Sequence, residues 1–145
     1  MEYINFLKDF RDVNALNQQI NREIAKKHDL LLIEVNILAF LHNNSFCDTA
    51  SEIVQYRGLS KGNVSSAVSS LEKKGLVNIV SDPFDKRMKR IKILPASDMI
   101  VKDIDKGLAT LMSVLTEDMS SNDIEALVDN LAKIGRNART FMEKG

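Results

Sequence analysis

Apolar positions recur along most of this chain at the three- and four-residue steps of an α-helix. Ile4, Leu7, Leu16, Ile20 and Ile24 mark a first helix over residues 3–27. Residues 30–42 are denser: Leu30-Leu31-Leu32-Ile33 is followed by Val35, Ile37, Leu38, Phe40 and Leu41, which predicts a helix buried on most sides. Asn43-Asn44-Ser45 ends it. Further on, Val101, Ile104, Leu108, Leu111 and Leu115 step by three and four, predicting a long helix from Asp98 to about Met119 with Ser97 as its cap. Ile124, Leu127, Leu131, Ile134, Ala138 and Phe141 repeat the pattern over residues 123–144. Both seams are narrow and heptad-like, as in helices that pack on other helices.

The middle of the chain breaks this rhythm. Thr49-Ala50-Ser51-Glu52 has the form of a capping box, in which the hydroxyl takes a first-turn amide and the glutamate reaches back. It predicts a short helix from about Ala50 to Tyr56, stopped by Gly58. Ser60 then caps a helix running to Lys74, and Gly75 ends that one. Two helices around a tight turn form a helix-turn-helix. Leu76 to Val80 reads as a strand, and Arg90-Ile91-Lys92-Ile93 alternates with the period of two expected of another. A turn-rich, basic loop joins them. The two prolines, Pro83 and Pro95, bracket this hairpin. The expected fold is mainly α with a small β-wing.

Charge changes the picture more than composition does. With 44% hydrophobic and 28% charged residues the composition is ordinary, and the formal net charge is zero. From Arg57 to Lys92, however, nine basic residues face only Glu72, Asp82 and Asp85. A basic middle between acidic ends can meet a polyanion locally while the whole chain stays neutral. No apolar run reaches the roughly 20 residues that span a bilayer. The start, Met1-Glu2-Tyr3-Ile4-Asn5, lacks the basic and apolar regions of an export signal. The single cysteine, Cys47, permits no internal disulfide, and a cytoplasmic protein is expected.

The stretch Val64-Ser65-Ser66-Ala67-Val68-Ser69-Ser70-Leu71-Glu72-Lys73-Lys74-Gly75-Leu76-Val77 resembles the recognition helix of MarR-family bacterial transcription regulators. Asp82, Asp85-Lys86-Arg87 and Ile91-Lys92-Ile93-Leu94 resemble that family's wing with its Asp-x-Arg motif. In element order and length the resemblance covers essentially the whole chain, and it is sharpest from Thr49 to Leu94. It implies a single domain over 1–145. About 30–95 would form a winged helix-turn-helix lobe, and about 1–27 and 97–145 would be dimerisation helices. One departure is visible: Pro95-Ala96-Ser97-Asp98 stands where the family usually carries Thr-x-x-Gly.

Val64, Val68 and Leu71 share one helix face and should pack inward, leaving Lys61, Asn63, Ser65, Ser66, Ser69 and Ser70 on the others. Small polar side chains allow close entry into the major groove. Asn63 suits adenine, and serines suit phosphates or base edges. Serine is a mediocre helix former, so five serines between Ser60 and Lys74 are hard to explain by stability. On the wing, the resemblance implies that Arg87 enters the minor groove and that Asp85 orients it by a salt bridge. A narrow minor groove concentrates negative potential and attracts arginine in any case. Lys86, Lys89 and Arg90 are expected on phosphates. Phe84 is odd at an exposed tip; packing under the loop would account for it, and no role is assigned. Thr49 and Glu52 are expected to be structural.

The expected partner is double-stranded DNA, bound as a homodimer on an inverted repeat. The resemblance adds a small-molecule effector between the dimerisation region and the lobe, for which the sequence shows no ligand chemistry. The alternative is a winged helix that docks a protein and does not read DNA, which neutral charge favours. Cys47 does not match the oxidant-sensing cysteine of some members, near their first helix, and is expected to be a buried structural thiol. His28 and His42 look isolated, with no metal site near them. No nucleophile, phosphate loop or paired-carboxylate motif is visible, so neither an enzyme nor a cofactor is expected.

Overall fold

The computed structural model describes residues 3–145, with side chains from Asn5 onward. Met1 and Glu2, read above for an export signal, and the side chain of Ile4, counted in the first seam, lie outside the described residues. Six helices and one hairpin follow in order: α1 (Tyr3–Lys27), α2 (Leu32–Asn43), α3 (Ala50–Arg57), α4 (Lys61–Lys73), β1 (Val77–Ser81), β2 (Lys89–Ile93), a 3-10 turn (Pro95–Ser97), α5 (Asp98–Leu115) and α6 (Ser121–Lys144). The chain is mainly α with a two-stranded antiparallel wing, as the pattern predicts. It divides into two compact units, one running through Leu111 and the other Met112–Gly145.

In the first unit, α2 lies at the centre of the core. Val35, Ile37 and Leu38 are fully buried together with Ile53 of α3, Val64 and Leu71 of α4 and Val77 of β1. Each fully buried aliphatic side chain stabilises by about 1.5–3 kcal/mol relative to exposure, so this cluster fixes the helix-turn-helix against α2. Ile100 and Ile104 bring α5 onto the same core. The dense apolar run also carries two buried polar residues, Glu34 and Asn36, which its hydrophobicity conceals.

Local chemistry sets the element ends. Thr49 Oγ1 accepts from the Glu52 amide at 3.3 Å, and Glu52 Oε1 accepts from the Thr49 amide at 3.3 Å, so the predicted capping box is formed. Gly58 closes α3. Gly75, at φ +71°, ends α4 in a Schellman motif: its own amide donates to Glu72 O and the Leu76 amide to Leu71 O, both at 3.0 Å. Leu76 is spent on that closure, so β1 begins one residue later than the sequence suggests.

Two expectations fail here. Ser97 does not cap α5. Pro95 opens a 3-10 turn that leads straight into the helix, and the Ser97 side chain turns inward, fully buried, to donate to Leu76 O at 2.7 Å. The helix after it also stops at Leu115, short of Met119. Thr116 Oγ1 donates to the Met112 carbonyl at 2.7 Å, Asp118 adopts φ +61°, and Ser120 with Asp123 forms a fresh capping box for α6. In the second unit no residue of α6 is buried. Its seam residues Leu127, Leu131, Ile134 and Phe141 are 46–81% exposed. No described helix is long and apolar enough to cross a membrane.

Candidate nucleic-acid interface

The inner face of α4 carries Val64, Ala67, Val68 and Leu71, all buried, and this holds its opposite face outward. Lys61, Asn63, Ser65, Ser66 and Ser69 are exposed there. The Asn63 amide is taken by Ser60 Oγ at 3.2 Å, so the helix start is capped and the Asn63 side chain stays outside. Ser70 departs from this set. It is half-buried, and its hydroxyl donates to Glu34 Oε2 at 3.1 Å. That bond turns it toward α2 and away from the outer face.

The hairpin pairs Val77 with Ile93 through Ser81 with Lys89. Val77 and Ile91 face the core. At the tip, Asp82 Oδ1 accepts from the amides of Phe84 (2.8 Å) and Asp85 (2.9 Å), which winds the loop into an Asx-type turn. Those two amides, led by that of Asp85, and the Arg90 guanidinium hold the Asp82 carboxyl below its ordinary pKa. Asp85 Oδ1 accepts from the Arg87 amide at 3.1 Å and lies 3.8 Å from Arg87 Nε. The Asp85–Arg87 pairing implied by the family pattern is therefore present, with the Arg87 side chain 99% exposed. Lys86 is exposed as well, and Lys89 Nζ donates to Ser81 Oγ at 2.8 Å. Phe84 does not pack under the loop: it is 98% exposed, because the turn that satisfies its amide points its ring outward.

Arg90 corrects the reading of the basic wing. Its Nη1 donates to Asp48 Oδ1 at 2.7 Å and its Nε to Asp82 Oδ2 at 2.9 Å. Both planar edges of the guanidinium are thus held by acids of the protein, which leaves it poorly placed for a phosphate. Asp48, just before α3, is buried, and it also receives Lys92 Nζ at 2.6 Å. Burial pushes the Asp48 carboxyl up, but the bonds from Lys92 and Arg90 outweigh it, and the pKa falls below the ordinary value. The backbone joins in, since the Ile91 amide donates to Asp48 O at 2.7 Å. A shallow groove of about 400 Å³ runs between the start of α3 (Thr49, Ala50, Ser51) and the wing (Arg87, Met88, Lys89).

Away from the wing, other features lay beyond the sequence pattern. His28 Nε2 meets Asp103 Oδ2 at 2.6 Å, where Lys27 Nζ also lies at 2.8 Å, and His42 Nε2 meets Asp105 Oδ1 at 2.8 Å. The histidines are therefore not isolated; each ties the α1–α2 region to α5. Cys47 is half-buried, not buried, and the carboxylate of Glu52 beside it raises the thiol pKa, with burial adding to the effect. That opposes thiolate formation and reactivity. Asn21, Asn36, Phe40, Arg57 and Leu111 help line a cavity of about 190 Å³. In it, Asn21 Nδ2 donates to Asn36 Oδ1 at 2.8 Å, and Arg57 Nε is buried without a hydrogen bond among the described residues. These polar residues come from three helices, and only Asn36, inside an apolar run, stands out in the sequence.

A short helix, a tight turn and an exposed polar helix, followed by a basic antiparallel hairpin bound to the same core, define a winged helix-turn-helix protein. The MarR-family model matches residues 28–88, from the end of α1 through the wing tip. Over 143 residues the chain is 27% identical to the HTH-type transcriptional regulator TcaR of Staphylococcus aureus (strain Newman), covering 97% of this chain and 93% of TcaR. Among solved structures, the Staphylococcus aureus MepR–DNA complex is similar at a TM-score of 0.69 and 20% identity, covering 94% of this chain and 98% of that one. A MarR transcriptional regulator from Methanosarcina mazei Go1 is similar at 0.74 and 15% identity, covering 94% and 97%. Over residues 28–88 the chain is similar to the MarR family, and the relative it matches along its length is an HTH-type transcriptional regulator.

Proposed function

We propose that the protein is a cytoplasmic homodimer that reads a pseudo-palindromic DNA operator. The lobe over about 30–95 would carry the reading surface, and residues 1–27 and 97–145 the dimer contacts. Asn63, Lys61, Ser65, Ser66 and Ser69 face base edges and phosphates from α4, Arg87 enters the minor groove, and Lys86 and Lys89 meet phosphates. The observation that carries this reading is Arg87, fully exposed on a tip that Asp82 and Asp85 hold in shape. The dimer is supported by apolar side chains left exposed on α1 (Leu7, Phe10, Val13) and α6 (Leu131, Ile134, Phe141). Two-fold symmetry then sets half-sites about one DNA turn, roughly 34–36 Å, apart.

A small-molecule effector belongs to the same reading. The cavity beside Arg57 is small, with a mixed polar and apolar lining, and Arg57 lies at the end of α3, so an occupant there would bear on the helix-turn-helix directly.

Selection of bound duplexes from a random pool tests the proposal. An inverted repeat is expected. On the recovered site Arg87→Ala should weaken binding by about 1–3 kcal/mol while the dimer persists. Affinity should also fall steeply with salt as phosphate contacts release counterions. An Arg87→Ala protein of unchanged affinity, or a flat salt response, would favour a winged helix that docks a protein partner.

A further inference from the structure

We propose that Asp48 is a positioning residue for the wing, acting through Arg90 and Asp82 to fix the loop that presents Arg87. The proposal rests on the DNA-reading function above. The bonds form one unbroken series. Asp48, buried ahead of α3, accepts from Arg90 Nη1 at 2.7 Å. The other edge of Arg90 donates to Asp82 Oδ2 at 2.9 Å. The second oxygen of Asp82 accepts from the amides of Phe84 and Asp85 at 2.8 and 2.9 Å. Asp85 in turn accepts from the Arg87 amide at 3.1 Å. The series starts on the helix-turn-helix and ends on the exposed arginine, so the position of the wing tip is referred to the start of α3.

Electrostatics make the arrangement informative. An acid buried against the basic wing opposes a polyanion, and Asp48 pairs with both Arg90 and Lys92, offsetting part of their charge. A surface built only for charge would omit it. Its effect is pre-organisation: a hairpin tip that is already ordered loses less freedom when it docks. Arginine suits the middle position because one planar group can satisfy two carboxylates along different edges, which an ammonium on a flexible stem does poorly.

The test uses Asp48→Asn, with Arg90→Gln as a second variant in case the first fails to fold, and two readouts. The first is amide exchange at Phe84 and Asp85 by NMR on the free protein. The second is affinity for the selected operator as a function of salt. Asp48→Asn removes a negative charge, so a purely electrostatic role predicts equal or tighter binding. The expected result is the opposite: faster exchange at both amides and about tenfold weaker binding. The salt slope of Arg90→Gln should match the wild type, whereas loss of a phosphate contact would lower it by about one. Unchanged exchange, or unchanged or tighter binding by Asp48→Asn, overturns the proposal. If the wild-type protein binds no duplex, the DNA reading fails by itself and the amide exchange still decides whether Asp48 orders the tip.

Discussion

Lys74 Nζ, at the end of the exposed helix α4, sits 3.0 and 3.1 Å from the two carboxylate oxygens of Glu34, which is fully buried at the start of α2. The same carboxylate takes the Leu31 amide at 3.0 Å and the Ser70 hydroxyl at 3.1 Å. One buried acid thus anchors the C-terminal end of the helix that would read DNA.

The two partners of that pair should respond unequally to substitution. The Lys74 side chain is 40% exposed and can turn to water, whereas Glu34 has no exposure. Lys74→Ala would strand a buried carboxylate and should cost about 3 kcal/mol. Glu34→Gln keeps one oxygen for the Leu31 amide, its NH2 can donate to the Ser70 hydroxyl once that rotates, and Lys74 can turn to water, so it should cost about 1 kcal/mol. Urea denaturation of both variants checks the order; a larger loss for Glu34→Gln would contradict it.

Gly107 of α5 lies against α1, where an added Cβ would meet Ile20 Cγ2 at 2.8 Å and Ile24 Cδ1 at 3.3 Å. Alanine gains about 1 kcal/mol of helix propensity over glycine, but the branch methyl of Ile20, which has little freedom on a helix, must move. Overpacking of about 1–3 kcal/mol outweighs the gain, so Gly107→Ala should lose about 1 kcal/mol. Gly107→Val overpacks without that propensity gain and should lose about 2–3 kcal/mol. Removing the branch methyl in the way, in Gly107→Ala/Ile20→Leu, should bring stability to or above that of Gly107→Ala alone. Thermal melts of the three proteins test the series.

Acid should loosen the fold through particular aspartates. Lys27, and after it His28, hold the Asp103 carboxyl below its ordinary pKa, and Asp48 and Asp82 are lowered too. A carboxylate with a folded-state pKa below its unfolded one contributes stability above the unfolded value, about 3.9 for aspartate. That contribution is lost as the pH drops through the lower, folded value. Melting temperature should therefore be flat near neutrality and fall below about pH 4. Asp103→Asn should melt lower than wild type at pH 6, and the gap should close in acid. A gap that persists or widens there would show that the Asp103 charge is not its source.

Elements whose logic is local were legible in the sequence. The α4 face could be read because Val64, Val68 and Leu71 recur at helical steps, and α3 because Thr49 and Glu52 lie three residues apart. The wing could be read in outline, since alternation in Arg90–Ile93 marks a strand wherever it packs. What escaped depends on partners distant in sequence. Arg90 looks like one more cation of a basic loop until Asp48, 42 residues earlier, takes its guanidinium. Ser97 has the sequence position of a cap, but Pro95 starts the turn early and burial redirects the hydroxyl. Glu34 and Asn36 did leave a signal: two polar residues inside the most apolar run of the chain must find buried partners. The Ser120–Asp123 box was equally visible, and it would have ended α5 near Leu115.

The carbonyl of Leu76, where the chain enters the hairpin, receives both the Leu94 amide at 2.9 Å and the Ser97 hydroxyl at 2.7 Å, where the chain leaves it. Entry and exit are stitched to one atom, so the wing is a side excursion whose outer half bears no weight for the helices. Length and sequence at residues 83–88 can then drift, or be exchanged by design, without unsettling the lobe beneath, and the wing becomes a replaceable reading head on a fixed mount.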